Sequence, residues 1–97
     1  MKFTRADRKL AKLGFEKYNT DEEKESKYGV SFGRSDTVID GIHRIDIIYK
    51  FNEQHLIQSY QENSNSDGYN NCVGLTYKEM KAAMRKYREM KRRYRWE

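Results

Sequence analysis

The chain has 97 residues, the length of one domain, so residues 1–97 are expected to form a single domain. Its aromatic share of 13% is too high for a disordered chain, and its single cysteine excludes an internal disulfide and a cysteine-based zinc site. The net charge of +5 favours polyanionic partners, and no apolar run reaches the length of a signal peptide or a membrane span. We therefore expect a cytoplasmic protein with no membrane partner.

The first predicted element is a short helix over residues 5–13. Thr4 can act as its N-cap, and Asp7, three residues later, can return the hydrogen bond as a capping box requires. Gly14 follows at the position where helices often end in a left-handed residue, and Phe15 can pack back on the last turn. These signals predict both ends of the helix.

A short strand, a loop and a longer strand are predicted next. Residues 15–19 have the character of a short strand, and residues 20–27 contain no apolar side chain, which is typical of an exposed loop. Tyr28, Val30 and Phe32 then alternate with small or polar residues. This alternation predicts a strand with one buried face.

The strongest strand signal follows a turn-rich connection over residues 33–41. Apolar residues alternate over residues 42–51, which predicts a strand whose one face is buried. That face is predicted to carry Ile45, Ile47, Tyr49 and Phe51. A short loop then leads to a returning strand over residues 55–61, so the strands form an antiparallel meander.

A polar loop over residues 62–71 precedes the last predicted element, a helix that begins after Thr76. Thr76 and Glu79 have the spacing of a complete capping box, and Leu75 and Met80 have the spacing of a hydrophobic staple. The order of elements predicts an α+β fold. In it, an antiparallel meander of three to four strands is flanked by an N-terminal helix and a longer, basic C-terminal helix.

The last helix carries most of the positive charge. Residues 80–97 hold eight cations and two anions, whereas residues 1–79 have a net charge of −1. At about 100° per residue, the apolar side chains share one face, which is predicted to pack on the sheet. These residues are Met80, Ala83, Met84, Tyr87, Met90 and Tyr94. An adjacent flank carries a stripe of cations, namely Lys81, Arg85, Arg88, Arg92 and Arg95, and the opposite flank carries Lys86 and Arg93.

This stripe predicts a surface that binds nucleic acid or an acidic protein. Arginine forks match phosphate geometry, and neutralising phosphates with cations gives salt-dependent binding. Aromatic residues of the same segment could add base stacking, namely Tyr77, Tyr87, Tyr94 and Trp96, although Tyr87 and Tyr94 are expected to belong to the core. The alternative is a solvated helix face, because Lys and Arg favour helices and their C-terminal ends.

Other residue patterns do not support catalysis. His43 and His55 begin two neighbouring strands without a third strong ligand, so we interpret them as structural or surface residues and expect no metal site. Cys72 has no histidine beside it and is predicted to be a small buried side chain. No glycine-rich phosphate loop is present. We therefore expect a protein that acts by binding, with no enzymatic activity and no cofactor.

The segment "GLTYKEMKAA", residues 74–83, resembles the start of the second helix of double-stranded-RNA-binding domains, G-x-S-K-K-E-A-K-x-A-A. In that family the lysines at this helix start contact RNA phosphates, which implies the same role for Lys78 and Lys81. Tyr77 replaces one of the paired lysines, and the family's Gly-Pro-x-His loop is missing. With the stripe, the predicted binding residues are Lys78, Lys81, Arg85, Arg88, Arg92 and Arg95.

The chain as a whole resembles small uncharacterised proteins of Gram-positive bacteriophages and prophages. The phrases that carry this resemblance are "RADRKLAKLGFEKY" and "VGLTYKEMKAAMRKYREMKRRY". It implies an accessory protein in the cytoplasm of a host cell. Such a protein would bind nucleic acid or, alternatively, act as a protein-interaction module that inhibits a host protein such as an anti-phage nuclease, in the manner of an anti-CRISPR protein.

Overall fold

In a computed structural model, which describes residues 4–17, 25–37, 41–62 and 71–97, the chain adopts the expected α+β fold. An antiparallel sheet and two helices share one hydrophobic core. The helices are α1 (Arg5–Lys12) and α2 (Tyr77–Arg93). The strands are β1 (Glu16–Lys17), β2 (Glu25–Ser26), β3 (Gly29–Asp36), β4 (Gly41–Phe51), β5 (Gln54–Glu62) and β6 (Asn71–Cys72). Within these described residues, neither helix combines the length and the hydropathy that a bilayer crossing requires.

The long strands β3, β4 and β5 form the predicted antiparallel meander. Phe32 of β3 lies opposite Ile45 of β4, and Ile47 of β4 lies opposite Ile57 of β5. The three remaining strands have two residues each: β1 and β2 both pair with β3, and β6 pairs with β5. β1 lies within the short strand predicted over residues 15–19, of which residues 18 and 19 lie outside the described residues. β2 and β6 were not predicted, because strands this short carry no alternating pattern, so the sheet has more strands than the three to four predicted.

Three predicted loops overlap strands of the structure, and the loop over residues 62–71 does so at its two end residues, Glu62 and Asn71. The loop predicted over residues 20–27 is wrong at Glu25–Ser26, which pair with β3. Residues 20–24 of that loop, and residues 63–70 of the loop predicted over 62–71, lie outside the described residues. The turn-rich connection predicted from residue 33 is also too early, since β3 continues through Asp36.

Both predicted ends of α1 are confirmed. The Asp7 backbone N–H donates to the Thr4 hydroxyl over 3.1 Å, and the Thr4 N–H donates to the Asp7 carboxylate over 3.0 Å. At the other end, Gly14 has a φ of +94°, and the Phe15 N–H donates to the Leu10 carbonyl over 3.0 Å. This is the helix ending that a left-handed glycine permits.

The capping box of α2 is confirmed as well. The Glu79 N–H donates to the Thr76 hydroxyl over 3.2 Å, and the Thr76 N–H donates to the Glu79 carboxylate over 2.9 Å. The helix ends at Arg93, and Arg95 has a left-handed φ of 55°. Because Arg95 lies beyond the helix, the helical stripe of cations ends at Arg92 rather than at Arg95.

The face of α2 that packs on the core is rotated from the predicted one. Met80 and Met84 are 47% and 37% exposed, so the prediction that they dock on the sheet is wrong. The buried positions are Glu79, Ala82, Ala83, Lys86 and Met90. Two charged residues share the buried face because each has ion-pair partners on another element, which an apolar pattern does not reveal.

The buried face of the sheet is largely the predicted one. Val30, Phe32, Ile45 and Ile47 are buried, and Tyr49 packs against them in part. Two predicted members are exposed, namely Tyr28 and Phe51. Tyr28 precedes the first residue of β3, and a register shift between Ile48 and Phe51 takes Phe51 out of the alternation. Cys72 is also exposed, so its prediction as a buried side chain is wrong.

Candidate functional site

A groove of about 460 Å³ lies between α1 and α2. The C-terminal end of α1 forms one wall, and the first three turns of α2 form the other. Of the described residues that line it, six are cationic and two are apolar, and none is anionic. The lining residues are Lys9, Lys12 and Leu13 on the first wall, and Lys78, Lys81, Ala82, Arg85 and Arg88 on the second. We call these six cations and two apolar residues the basic groove.

The helical repeat explains why these side chains converge. On α2 the groove residues recur every three or four positions, so they lie on one flank of the helix. On α1, Lys9 and Lys12 are three residues apart in the last turn and face the same space. Leu10, between them in sequence, is fully buried and fixes the orientation of α1 against the core. The two flanks therefore present cations to each other across the groove.

The basic groove contains four of the six predicted binding residues. Lys78, Lys81, Arg85 and Arg88 line it, and all four are exposed. Arg92 is exposed on α2 one turn beyond the lining residues, and Arg95 is exposed past the end of the helix. Sequence reasoning missed Lys9 and Lys12. Their spacing of three residues beside the apolar positions of α1 was the available signal, but the sequence alone does not show that α2 lies next to them.

No acid of the described residues neutralises the charges of the basic groove. Within the described ranges 4–17, 25–37, 41–62 and 71–97, no ion pair involves a cation of the groove. Six like charges on the walls of one concavity repel each other and raise the local positive potential. An anionic ligand relieves this repulsion, so the groove is suited to anions.

The acids near α2 are instead gathered under its opposite flank, around Lys86. The Lys86 ammonium lies 2.6 Å from the Glu25 carboxylate and 2.8 Å from those of Asp7 and Glu89. Its side chain is fully buried, although the helical pattern placed it on an exposed flank. Lys17 lies 3.0 Å from Asp7 and from Glu25. We call Lys86, these three acids and Lys17 the buried ion cluster.

Glu25 and Lys86 of the buried ion cluster stay charged despite their burial. Burial raises the pKa of the Glu25 carboxyl, but hydrogen bonds from Lys86 and Tyr94 outweigh burial and hold that pKa at about 2. Burial lowers the pKa of Lys86, but hydrogen bonds to Asp7 and Glu25 outweigh it and keep the pKa above its usual value. Glu25 and Lys86 therefore form an ion pair at neutral pH.

The buried ion cluster is a framework rather than a metal site. Carboxylate oxygens of Asp7, Glu25 and Glu89 lie within 4.8 Å of one another, a spacing that could hold a cation. The Lys86 ammonium contacts all three carboxylates and takes the position that a metal cation would occupy between them. Because Asp7 belongs to α1, Glu25 to β2 and Lys86 to α2, the cluster fastens three elements together.

Arg34 of β3 makes a second connection between the two walls of the groove. Its guanidinium donates to the Leu13 carbonyl at the end of α1 over 2.8 Å, and to the Glu79 carboxylate at the start of α2 over 2.9 Å. It also lies over the Phe15 ring, 4.4 Å from the centroid. The ends of both helices that form the groove are thus held by one side chain.

The two histidines have structural surroundings. His43 is buried, with its Nε2 atom 2.6 Å from the Ser59 hydroxyl, and burial lowers the pKa of its imidazole. The His55 ring packs against the rings of Tyr49, Tyr87 and Trp96. These contacts agree with the interpretation of both residues as structural.

One aromatic side chain is exposed beside the basic groove. Tyr77, the first residue of α2, is 69% exposed, and the Lys81 ammonium lies 5.2 Å from the centroid of its ring. The other aromatic residues of the C-terminal segment are less accessible, because Tyr87 and Tyr94 are half-buried and Trp96 is buried. Of these four residues, Tyr77 therefore has the most accessible ring.

The lining of the basic groove determines what it can do chemically. It consists of ammonium, guanidinium and apolar groups, and the described lining includes no carboxylate, imidazole, thiol or hydroxyl. Ammonium and guanidinium groups are suited to anions, and these described lining groups include no nucleophile beside a general base. Comparison of the chain with protein-family models, with curated proteins and with solved structures finds no match.

Proposed function

We propose that the basic groove binds the phosphate backbone of nucleic acid, and that the protein acts by binding without turnover. The observation that supports this most is the separation of charge around α2. Six cations from two helices face one groove, while the acids near α2 are paired with Lys86, Arg93 and Arg34 away from it. Surfaces of this kind bind polyanions, and their cations contact phosphates rather than base edges.

The arginines and the lysines of the groove would contact the phosphate backbone in different ways. Arg85 and Arg88 can each donate two parallel hydrogen bonds to a phosphate, and the lysines act as point charges on neighbouring phosphates. If all six cations neutralise phosphates, log K should fall with log salt with a slope on the order of −4 to −5. In the phage setting that the chain resembles, such a protein would act on nucleic acid in the cytoplasm of the host cell.

A charge-reversal variant tests the groove against net charge alone. The groove variant carries Lys81→Glu, Arg85→Glu and Arg88→Glu. The control variant carries Arg5→Glu, Lys27→Glu and Lys91→Glu, at exposed positions that do not line the groove. Both variants change the net charge equally, and both should melt close to the wild-type temperature because exposed charges contribute little to stability.

Binding of labelled RNA and DNA oligonucleotides, measured by fluorescence anisotropy at low salt, separates the two variants. We expect the groove variant to lose binding and the control variant to keep most of it. Equal losses in both variants would show that only net charge matters, and the groove would then be a solvated surface. An Arg92→Glu, Arg95→Glu variant should have a smaller effect than the groove variant, because both residues lie beyond the groove.

A pull-down from host lysate distinguishes nucleic acid from an acidic protein as the partner. With the wild-type protein as bait, nuclease treatment should release the bound material, and the groove variant should capture little. A single protein that stays bound to wild type after nuclease treatment, and is lost from the groove variant, would contradict nucleic-acid binding. That result would favour the alternative function, an inhibitor that docks on an acidic patch of a host protein.

A further inference from the structure

We propose that the basic groove takes one single strand of nucleic acid, with a base stacked on Tyr77. This inference rests on the proposed function and deepens it, because it specifies the form of the nucleic acid. Two observations carry it: the cations lie on both walls of a concave groove, and an exposed aromatic ring stands beside it. Sequence-tolerant single-strand binding combines these two features, a positively charged groove and an aromatic platform.

The shape of the groove favours one strand over a duplex. Its cations face each other from α1 and α2 across a concavity of about 460 Å³, a volume typical of sites for small ligands. A duplex is a stiff rod that is too wide to enter a concavity of small-ligand size, so it could contact only the rim of the groove. A single strand can place its phosphates inside the groove, where Lys9 and Lys12 contact it from one side and Arg85 and Arg88 from the other.

Tyr77 is placed to receive a base from such a strand. It adjoins Lys78 in sequence and precedes Lys81 by one helical turn, and both lysines line the groove. The Lys81 ammonium lies 5.2 Å from the centroid of the Tyr77 ring, so one side chain contacts the ring and also reaches the groove. A phosphate bound at Lys78 or Lys81 therefore brings the base of the same or the next nucleotide to Tyr77.

The ring of Tyr77 contributes little to the packing of the protein. At 69% exposed it contributes little to the core, and it stands at the first position of α2, where the Thr76–Glu79 capping box defines the helix start without it. We therefore expect the Tyr77→Ala variant to keep the fold of the wild-type protein.

Removing the ring and removing the bases should have the same effect on binding. Tyr77→Ala is compared with wild type, and Tyr77→Phe serves as the control that keeps the ring. The probes are a labelled oligothymidylate of about 20 nucleotides, an abasic strand of equal length and a duplex of equal length, measured by fluorescence anisotropy at low salt. Thermal unfolding of each variant verifies that the fold is retained.

We expect the oligothymidylate to bind more tightly than the duplex and the abasic strand. Tyr77→Ala should weaken its binding by roughly 5- to 150-fold, the effect of losing one stacked base, with an unchanged salt slope. Tyr77→Phe should bind like wild type. For the abasic strand, Tyr77→Ala should make no difference, because its phosphates still contact the groove while no base is present to stack.

The outcomes separate this inference from the proposed function. If the duplex binds as tightly as the single strand, or if Tyr77→Ala binds the oligothymidylate like wild type, the single-strand inference is wrong. The proposed function would still stand as long as the groove variant loses binding. If no nucleic acid binds the wild-type protein at low salt, or the groove variant binds like wild type, both proposals are wrong.

Discussion

Replacing Lys86 with methionine tests the buried ion cluster that joins α1 to α2. Methionine keeps most of the length of the side chain and removes its charge. The variant therefore leaves three carboxylates near their places without the cation they share. Two of them cannot reach water easily, since the side chains of Asp7 and Glu25 are 1% and 7% exposed. Lys17 remains 3.0 Å from both and compensates in part.

The expected loss of stability follows from these contacts. Removing one partner of a buried ion pair costs about 3–5 kcal/mol, because a charge is left buried without compensation. Lys17 still pairs with Asp7 and Glu25. Arg93 still pairs with Glu25, and Glu89 is exposed enough to turn toward water. The lower end, about 3 kcal/mol, is therefore expected for Lys86→Met. For a domain of this length, the melting temperature should fall by roughly 12–24 °C.

Urea unfolding followed by tryptophan fluorescence measures this loss. Trp96 is the single tryptophan, is buried, and stacks on Tyr49 with 5.0 Å between ring centroids, so its emission reports on the core. Lys91→Met, at an exposed position of the same helix, is the matched control and should change stability by less than about 0.5 kcal/mol. Adding Glu25→Gln to Lys86→Met should restore part of the loss. Equal midpoints for Lys86→Met and Lys91→Met would refute the buried ion cluster.

Two further predictions concern the pKa of Glu25 and the buried face of α2. The pKa of Glu25 in the folded protein, about 2, lies below its ordinary value of 4.5, so the ionised carboxylate stabilises the fold above pH 4.5. This contribution, on the order of 3 kcal/mol, should disappear as the pH falls toward about 2. Glu25→Gln should flatten the dependence of the urea midpoint on pH in that window. On α2, Ala83→Asp should cost several kcal/mol by burying an unpaired charge, whereas Met84→Asp, at an exposed position, should cost under about 1 kcal/mol in thermal unfolding.

The helix ends and the long strands could be predicted because their signals are local. The capping boxes Thr4–Asp7 and Thr76–Glu79 join residues three apart, and Gly14 marks the end of α1 through its own backbone conformation. The meander follows from side chains that alternate along each strand. In each case the physical cause lies within a few residues of its effect, so the sequence displays it directly.

The orientation of α2 could not be predicted because its cause is not local. Lys86 and Glu25 are 61 residues apart in the sequence, and Glu79 pairs with Arg34 across 45 residues. A pattern of apolar residues treats both charged positions as exposed. It therefore selected Met80 and Met84 as the buried face. The burial of Glu79 and Lys86 depends on ion-pair partners that are distant in the sequence, and the helical pattern does not show them.

The part of the candidate site that lies on one helix could be predicted, and the part that depends on the packing of two helices could not. The cations of α2 that line the groove were identified from their spacing on one helix. Lys9 and Lys12 were not, because their membership depends on the packing of α1 beside α2. The extension to Arg95 assumed that the helix continues, whereas the left-handed backbone at Arg95 places this residue beyond it.

The buried ion cluster and the basic groove are two consequences of one arrangement of charge. Arg85 and Lys86 are adjacent in sequence, yet Arg85 lines the groove and Lys86 lies in the interior with the acids. The contact of Lys86 with Asp7 fastens α1 against α2, and this attachment brings Lys9 and Lys12 to the far wall. The same contact keeps the acid of α1 away from the groove. The packing of Lys86 thus assembles the groove and leaves its cations without an ion-pair partner among the described residues.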